Sequence, residues 1–216
     1  MSTKNSSNKI ILASSSVYRQ ELLARLNLAF TAIAPNIDES AFSHELPEQT
    51  ALRLAEQKAR AIATHHPDAI IIGSDQVATL DGEQIGKPGT HENALRQLQK
   101  MRGREVIFHT ALCVLDHRNF SSDTSNTSNT SDTPKMQSKN CQTLVRFRDL
   151  SDAEFDAYLR IEQPYDCAGS AKNEGLGIIL IESIKSDDPT ALTGLPLIAL
   201  TGMLRNLGVQ FFSEEN

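Results

Sequence analysis

The chain has 216 residues, of which 39% are hydrophobic, and this is enough apolar sequence for one domain with a sizeable core. Its formal net charge of −6 argues against general affinity for nucleic acid or for an anionic membrane, so neither is an expected partner. The 3 cysteines form an odd, widely spaced set without zinc-like spacing, which argues against a disulfide framework and favours a cytoplasmic location. Residues 1–8 are polar, without the apolar core of a signal peptide, and are expected to be disordered.

The first predicted elements are a buried strand from residue 10 to 13, a serine turn and a helix. Ser16 is a good N-cap for that helix, whose apolar residues recur at helical spacing: Leu22, Leu23 and Leu26. A strand, a polar turn and a helix N-terminus together form an anion site, because backbone N–H groups point outward there. Arg19, in the first helical turn, can form paired hydrogen bonds with a phosphate. An ordinary strand–helix corner with a surface arginine explains this stretch equally well.

Two further elements precede the strongest strand. Residues 30–34 indicate a short strand, followed by a polar turn with two adjacent carboxylates, Asp38 and Glu39. A long amphipathic helix is predicted from about Pro47 to His65. Lys58 lies beside the apolar stripe of this helix. Considered without the rest of the chain, it is best interpreted as a solvated lysine on the helix surface.

The apolar run at residues 69–72 predicts a buried strand that ends at Gly73-Ser74-Asp75-Gln76. In open α/β sheets ligands bind beyond the carboxyl ends of strands, so Asp75 is a candidate site residue. Strand character resumes at residues 77–80. The Asp81-Gly82 turn then leads to a returning segment that contains Lys87.

The second half of the chain alternates strands with helices and contains one biased segment. Residues 119–140 are polar and of low complexity, and they predict a disordered insertion in the loop between two strands. The remaining elements are predicted as a helix capped by Thr90, strands at 104–116, 141–147 and 178–181, a helix from Ser151 to Arg160, and a last helix that ends near Asn206. A single α/β domain with a mixed sheet is therefore expected over residues 9–208, followed by a tail at 209–216.

Four polar clusters lie at the ends of these elements: Ser14–Arg19, Asp38-Glu39, Ser74–Gln76 with Lys87, and Lys172–Glu174. Cationic side chains beside a helix N-terminus suit a polyphosphate. Carboxylates suit a magnesium-type cation, which binds through one or two carboxylates together with phosphate. A carboxylate near such a metal can accept a proton from water and direct the water at phosphorus.

The motifs that carry these clusters resemble the Maf nucleotide pyrophosphatases over residues 9 to about 207. Each is weak alone, but together they are specific: Leu12-Ala13-Ser14-Ser15-Ser16-x-x-Arg19, Asp38-Glu39, Leu54-Ala55-x-x-Lys58-Ala59, Gly73-Ser74-Asp75-Gln76 and Gly86-Lys87-Pro88. Ser-Asp-Gln at residues 74–76, and Cys167-Ala168-Gly169-Ser170 followed by Glu174-Gly175, are most similar to the branch that hydrolyses 7-methyl-GTP.

The resemblance implies a mixed twisted sheet flanked by helices, with two lobes and a central cleft, as in Maf and inosine triphosphatase proteins. It implies cleavage of a nucleoside triphosphate to a monophosphate and diphosphate, with Mg, Mn or Co as the metal, and a homodimer. By position, Asp75 is the implied general base and Glu39 and Asp75 the metal ligands. The implied phosphate-binding residues are Ser14, Arg19, Lys58 and Lys87.

Three further positions are implied to read the base: Tyr18, Gln76 and Glu174. A 7-methylguanine base is cationic, so it stacks well on an electron-rich ring such as that of Tyr18. Its N1–H and amino groups donate strong hydrogen bonds to a carboxylate such as that of Glu174. These residues favour 7-methyl-GTP, and the reaction then removes a modified nucleotide. The alternatives are the same chemistry on UTP or dTTP, or a nucleotide-binding regulator of cell division without activity.

Overall fold

A computed structural model of the protein describes residues 8–118 and 135–212. The strands are β1 (Lys9–Ala13), β2 (Phe30–Ala32), β3 (Ala69–Leu80), β4 (Glu83–Ile85), β5 (Glu105–Asp116), β6 (Lys135–Phe147) and β7 (Ile181–Ser186). The helices are α1 (Val17–Ala24), α2 (Pro47–Ala63), α3 (His91–Met101), α4 (Asp152–Glu162) and α5 (Leu197–Asn206), with 3₁₀ turns at Ala168–Ser170 and Leu176–Leu180. In this part of the chain, no helix is both long and apolar enough to span a bilayer.

The strands form one mixed sheet in the order β2-β1-β3-β5-β6-β7, and β4 also pairs with β3. Strands β1, β2 and β3 are parallel, whereas the pairs β3–β5, β5–β6, β6–β7 and β3–β4 are antiparallel. Strand β5 pairs with β3 along one edge, from Ile70 to Thr79. On the other edge of β3, pairing with β1 ends at Gly73 and pairing with β4 begins at Ala78. Residues 74–77 therefore have no strand partner on that side, and this gap positions the site.

Buried side chains divide the molecule into two lobes that share the long strands. In the first lobe, α1 and α5 cover one face of β1 and β3, and α2 covers the other face. In the second lobe, α3 and α4 pack on the other ends of β3, β5 and β6 around fully buried aromatic and aliphatic residues: Leu98, Met101, Phe147 and Phe155. The two-lobed α/β fold expected from the sequence is confirmed.

Helix α2 approaches the sheet unusually closely at Gly73. A Cβ atom on Gly73 would lie 2.1 Å from the carbonyl oxygen of Ala55 and 3.0 Å from the amide nitrogen of Ala59. Because α2 presents alanines to the strand, its backbone can lie this near β3. The close contact brings Lys58, one turn along the helix, next to Asp75.

Several predicted boundaries differ from the structure. Strand β3 runs without a break through Ser74–Gln76, so Asp75 lies inside a strand rather than beyond its end. Residues 135–140 belong to β6, where they pair with β5, and not to a loop. The strand predicted at 178–181 is wrong, because residues 176–180 form a 3₁₀ turn and β7 starts at Ile181.

The predicted termini and insertion fall mainly outside the described residues. Residues 1–7, 119–134 and 213–216 lie outside them, which leaves the expected disordered N-terminus and most of the expected insertion without a structural account. Val209 is buried in the core formed with α1 and α5, so the folded domain extends past the expected boundary at residue 208.

Candidate active site

A cleft of about 950 Å³ lies between the lobes, at the gap on the edge of β3. Its walls come from the β1–α1 turn, the segment before α2, α2 itself, β3, the segment after β4, and the segments around residues 166–174 and 192–194. All nine residues that the sequence nominated line this cleft: Ser14, Tyr18, Arg19, Glu39, Lys58, Asp75, Gln76, Lys87 and Glu174. The structure therefore brings together residues that are up to 160 positions apart in the chain.

The serine turn opens the N-terminus of α1 toward the cleft. The Ser16 hydroxyl accepts a hydrogen bond from the Arg19 backbone N–H at 3.4 Å, which confirms Ser16 as the N-cap. The Ser14 hydroxyl, almost fully buried, accepts one from the Ser16 N–H at 3.1 Å. The turn is thus held by its own side chains, and it directs backbone N–H groups and the positive end of the helix dipole at the cleft.

A lysine joins the two acidic candidates. The Lys58 Nζ lies 2.6 Å from Asp75 Oδ1 and 2.6 Å from Glu39 Oε1. The lysine side chain is only 6% exposed and that of Asp75 11% exposed, whereas Glu39 is 51% exposed. A buried ammonium ion is stable only when it is paired, so Lys58 fixes both carboxylates around one point. Partial burial alone would raise the pKa of Glu39, but the hydrogen bond and charge of Lys58 lower it, helped by Lys87 and Arg19.

The Arg19 side chain is oriented by a backbone carbonyl from the far end of the chain. Its Nε donates a hydrogen bond to the Gly194 carbonyl oxygen at 2.8 Å, and the Ser74 hydroxyl donates to the same oxygen at 2.9 Å. Burial lowers the pKa of Arg19, which the charges of Asp75 and Glu39 oppose, and a guanidinium remains protonated near neutral pH in such a site. Gly194 has a φ of +107°, a conformation that glycine adopts without strain.

Gln76 connects the sheet to the loop before α5, a structural role that the sequence did not predict. Its side-chain nitrogen donates to the Thr110 hydroxyl at 2.9 Å and to the carbonyl oxygens of Ala191 and Leu192 at 3.1 and 2.9 Å. These contacts fasten the loop before α5 to the sheet. Gln76 therefore shapes the wall of the cleft through this loop, in addition to lining it.

The two candidate base-reading residues, Tyr18 and Glu174, also line the cleft. Desolvation raises the pKa of the Glu174 carboxyl, which is partly withdrawn from water. The Lys172 ammonium group lies 3.0 Å from Glu162 and 5.6 Å from the centre of the Tyr18 ring, and both neighbours raise the pKa of Lys172. Sequence reasoning placed Lys172 in a polar cluster without a role and missed Glu162 and Gly194, because no local pattern marks contacts between distant segments.

Cys167 also lines the cleft, but its environment does not suit a nucleophile. Burial and the neighbouring Asp166 raise the pKa of its thiol to about 12, so the thiolate is scarce at neutral pH. Among residues 8–118 and 135–212, no three His, Cys, Asp or Glu side chains are grouped so that they could hold a metal by themselves. Glu39 and Asp75, both joined to Lys58, are the two acidic residues implied by the family resemblance to bind a cation, and both line the cleft.

The chain is similar to known proteins over almost its whole length. The sequence profile of the family described as Maf-like protein matches residues 9–207. Curated relatives from Cupriavidus pinatubonensis (58% identical over 205 residues, 95% of this chain and 96% of the relative) and Cupriavidus metallidurans (59% over 203 residues, 94% and 95%) are named 7-methyl-GTP pyrophosphatase. A relative from Ralstonia nicotianae with the same name is 57% identical over 204 residues, 94% of this chain and 98% of the relative.

Two solved structures are more distant. The Staphylococcus aureus Ham1 protein is 16% identical, with a TM-score of 0.42, over 66% of this chain and 73% of that chain. The nucleoside-triphosphatase / dITP/XTP pyrophosphatase of Mycobacterium abscessus is 16% identical, with a TM-score of 0.41, over 92% of this chain and 97% of that chain.

Proposed function

The chain belongs to the Maf-like protein family, and from this premise we propose that it hydrolyses 7-methyl-GTP to 7-methyl-GMP and diphosphate. One observation carries the proposal: Arg19, Lys58 and Lys87 line the same cleft as the acid Asp75. A triphosphate needs such a cluster of cations, and its hydrolysis needs a proton acceptor beside them. The activity clears a modified nucleotide from the cell.

In this proposal Asp75 removes a proton from the water that attacks phosphorus. Its Oδ1 is held by Lys58 at 2.6 Å, which fixes the orientation of the carboxylate. Negative charge grows on the phosphate oxygens as the bond between the α- and β-phosphates breaks. Arg19, Lys58 and Lys87 offset that charge, and the serine turn adds backbone N–H donors.

We also propose that a divalent cation, Mg, Mn or Co, acts with these residues. Glu39 and Asp75 fit this role because both line the cleft, Lys58 holds only one carboxylate oxygen of each, and carboxylates are the ligands that such hard cations prefer. With two protein ligands, the remaining positions suit phosphate oxygens and water. When bound, the cation neutralises charge on the triphosphate and polarises the phosphorus centre.

The base preference is proposed to come from Tyr18 and Glu174. The cationic methylated base stacks on the Tyr18 ring more strongly than a neutral base does. The Glu174 carboxylate accepts hydrogen bonds from the N1–H and amino groups of guanine, and its negative charge complements the charge of the base. Gln76 supports the wall of the cleft through the loop that it fastens.

A panel of triphosphates tests the proposal. We expect diphosphate release from 7-methyl-GTP to exceed that from GTP, UTP and dTTP at least tenfold in kcat/KM, with Mg, Mn or Co present. Faster release of UMP or dTMP would assign the chain to the alternative substrates. An absence of turnover on every nucleotide with every metal, in protein that still binds nucleotide, would instead favour the non-enzymatic regulator.

We propose a cytoplasmic homodimer, because the family resemblance implies one and exposed apolar side chains lie on neighbouring segments: Ile161, Leu176, Ile178 and Ile179. The three cysteines, all free, suit a reducing compartment. Light scattering after gel filtration distinguishes a dimer of about twice the 23.7 kDa chain mass from a monomer.

A further inference from the structure

We propose that Glu162 and Lys172 act as a positioning pair that sets the base preference by holding Tyr18 and Glu174 in one fixed arrangement. This inference rests on the proposed function, since it concerns how the same cleft distinguishes 7-methylguanine from guanine. Neither residue is among those that line the cleft, so their effect is exerted through Tyr18 and Glu174.

Lys172 connects two parts of the site. Its ammonium group lies 5.6 Å from the centre of the Tyr18 ring, and the neighbouring Tyr18 hydroxyl raises the pKa of Lys172. Its own backbone is anchored independently, because the Lys172 N–H donates to the Tyr158 hydroxyl at 3.1 Å. The Lys172 carbonyl accepts hydrogen bonds from the N–H groups of Gly175 and Gly177, both at 3.0 Å. The backbone of Lys172 therefore holds the turn that contains Glu174, and the Lys172 side chain extends toward Tyr18 on α1.

Glu162, the last residue of α4, completes the connection. Its side chain is 12% exposed and lies 3.0 Å from the Lys172 ammonium group. The other carboxylate oxygen accepts a hydrogen bond from the Leu176 N–H at 2.8 Å. Gly175 packs directly on this carboxylate, since a Cβ there would lie 2.7 Å from Oε2. The segment that carries Glu174 is thus held by hydrogen bonds at Lys172, two residues before Glu174, and at Leu176, two residues after it.

The base preference needs this connection because the two base-reading groups belong to different parts of the chain. Tyr18 lies on α1 of the first lobe, and Glu174 follows α4 of the second. A ring that contacts the face of a base and a carboxylate that contacts its edge must be held within a fraction of an ångström to discriminate well. The pairing also offsets the Lys172 charge, which acts on Glu174 and would otherwise repel a cationic base bound beside it.

Two substitutions test the pair. We expect Glu162→Gln to lower the ratio of kcat/KM for 7-methyl-GTP over GTP about tenfold, mainly through KM, while kcat for GTP changes little. Lys172→Met is expected to lower the same ratio, because the Tyr18 ring loses its tether. If the pair acted only by charge, Lys172→Met would raise the ratio, since it removes a positive charge near a cationic base. That opposite sign would overturn the proposal.

A third variant covers the event that Glu162→Gln fails to fold. Tyr18→Phe keeps the ring and removes the hydroxyl that Lys172 contacts, and we expect a similar loss of the ratio. Combining it with Lys172→Met is expected to add nothing further, because both changes break the same contact. Fully additive losses would contradict the proposed tether.

The matched control is Glu182→Gln, the same change at an exposed position on β7 that pairs with Arg146. It is expected to leave the ratio unchanged. Calorimetric binding of 7-methyl-GMP and GMP gives a readout without turnover, and the affinity ratio is expected to fall in parallel. A wild-type protein without preference for the methylated base would overturn the proposed function itself. A wild-type preference that survives unchanged in folded Glu162→Gln and Lys172→Met would overturn only the positioning pair.

Discussion

Two glutamates that face the same cleft have their acidities moved in opposite directions. Lys58 lowers the pKa of Glu39, whereas partial desolvation raises the pKa of Glu174. Glu39 therefore stays ionised at mildly acidic pH, as a metal-binding role requires. Glu174 begins to take up a proton at a higher pH than a glutamate in free solution does, so the proposed base recognition is sensitive to pH over a range in which Glu39 keeps its charge.

Lowering the pH from about 6.5 to about 5 is expected to raise KM for 7-methyl-GTP by a larger factor than KM for GTP. The protonated Glu174 has lost the charge that complements the methylated base, and it has gained a proton where it should accept a hydrogen bond. Steady-state kinetics on both nucleotides across this range measure the effect. The Glu174→Gln variant reports any titration of the nucleotide itself, and a wild-type KM ratio as flat as that of the variant would contradict the assignment.

Single residues were predictable from sequence where the chemistry is carried by local motifs. Asp75, Arg19 and Lys87 each stand in a short stretch with turn or capping signals, and all three line the cleft. The contact between Arg19 and Gly194 was not predictable, because it joins positions 175 residues apart and a backbone carbonyl has no sequence signature. The pairing of Glu162 with Lys172 was missed for the same reason.

At the scale of elements, the packing of α2 on β3 determines where Lys58 meets Asp75. Gly73→Ala is expected to lower the free energy of unfolding by about 1–3 kcal/mol, since the added methyl group would overlap the Ala55 carbonyl and force the helix away. Turnover is expected to fall as well, because Lys58 moves with the helix. Thermal unfolding and diphosphate release measure the two effects.

Gly202→Ala is the matched control for this change. Gly202 lies in α5, and a Cβ there would meet nothing within 4 Å. Alanine is the better helix former, so this variant is expected to be as stable as the wild type or more stable by up to about 1 kcal/mol. Equal stabilities for Gly73→Ala and the wild type would show that α2 does not depend on the close contact.

The type of an element was predictable where its hydrophobic periodicity was clear. Its boundaries were not predictable where a contact with a distant part of the chain determines them. Helix α4 was found with its capping box, because Ser151 and Glu154 satisfy each other locally. The apolar run at residues 178–181 resembles a strand, but residues 176–180 form a 3₁₀ turn. Gly177 packs there on the backbone of Lys172, where a Cβ atom would lie only 2.5 Å from the Lys172 carbonyl oxygen. This close contact bends the chain before β7 begins.

At the scale of the whole molecule, the two lobes are connected by the three long strands β3, β5 and β6. The cleft lies between the lobes because one edge of β3 has a gap in its strand pairing. Strands β1 and β4 take up different parts of that edge, and the gap between them holds Asp75. The hairpin of β5 and β6 lies on the other side of β3 and pairs through to Asp116 and Lys135. The paired strand ends Asp116 and Lys135 lie opposite Ile70 of β3, away from the gap along the sheet.

Replacing residues 119–134 with a short Gly/Asn turn is expected to leave kcat/KM for 7-methyl-GTP within about twofold of wild type. The pairing of Asp116 with Lys135 already places the two strand ends side by side, so a short turn can close the hairpin. Kinetics and the melting temperature of the shortened protein measure the outcome. A large loss of turnover in a protein that melts normally would give this segment a part in the reaction.

The central claim is that Asp75 activates water beside a cationic triphosphate site, and Asp75→Asn tests it most directly. Diphosphate release from 7-methyl-GTP is measured together with calorimetric binding of the same nucleotide, in the wild type, in Asp75→Asn and in Asp68→Asn, an exposed control at the turn before β3. The account predicts a fall in kcat of about 10²–10⁴-fold for Asp75→Asn, with binding retained, and no change for the control. A variant at position 75 that keeps more than about a tenth of the wild-type kcat would contradict it.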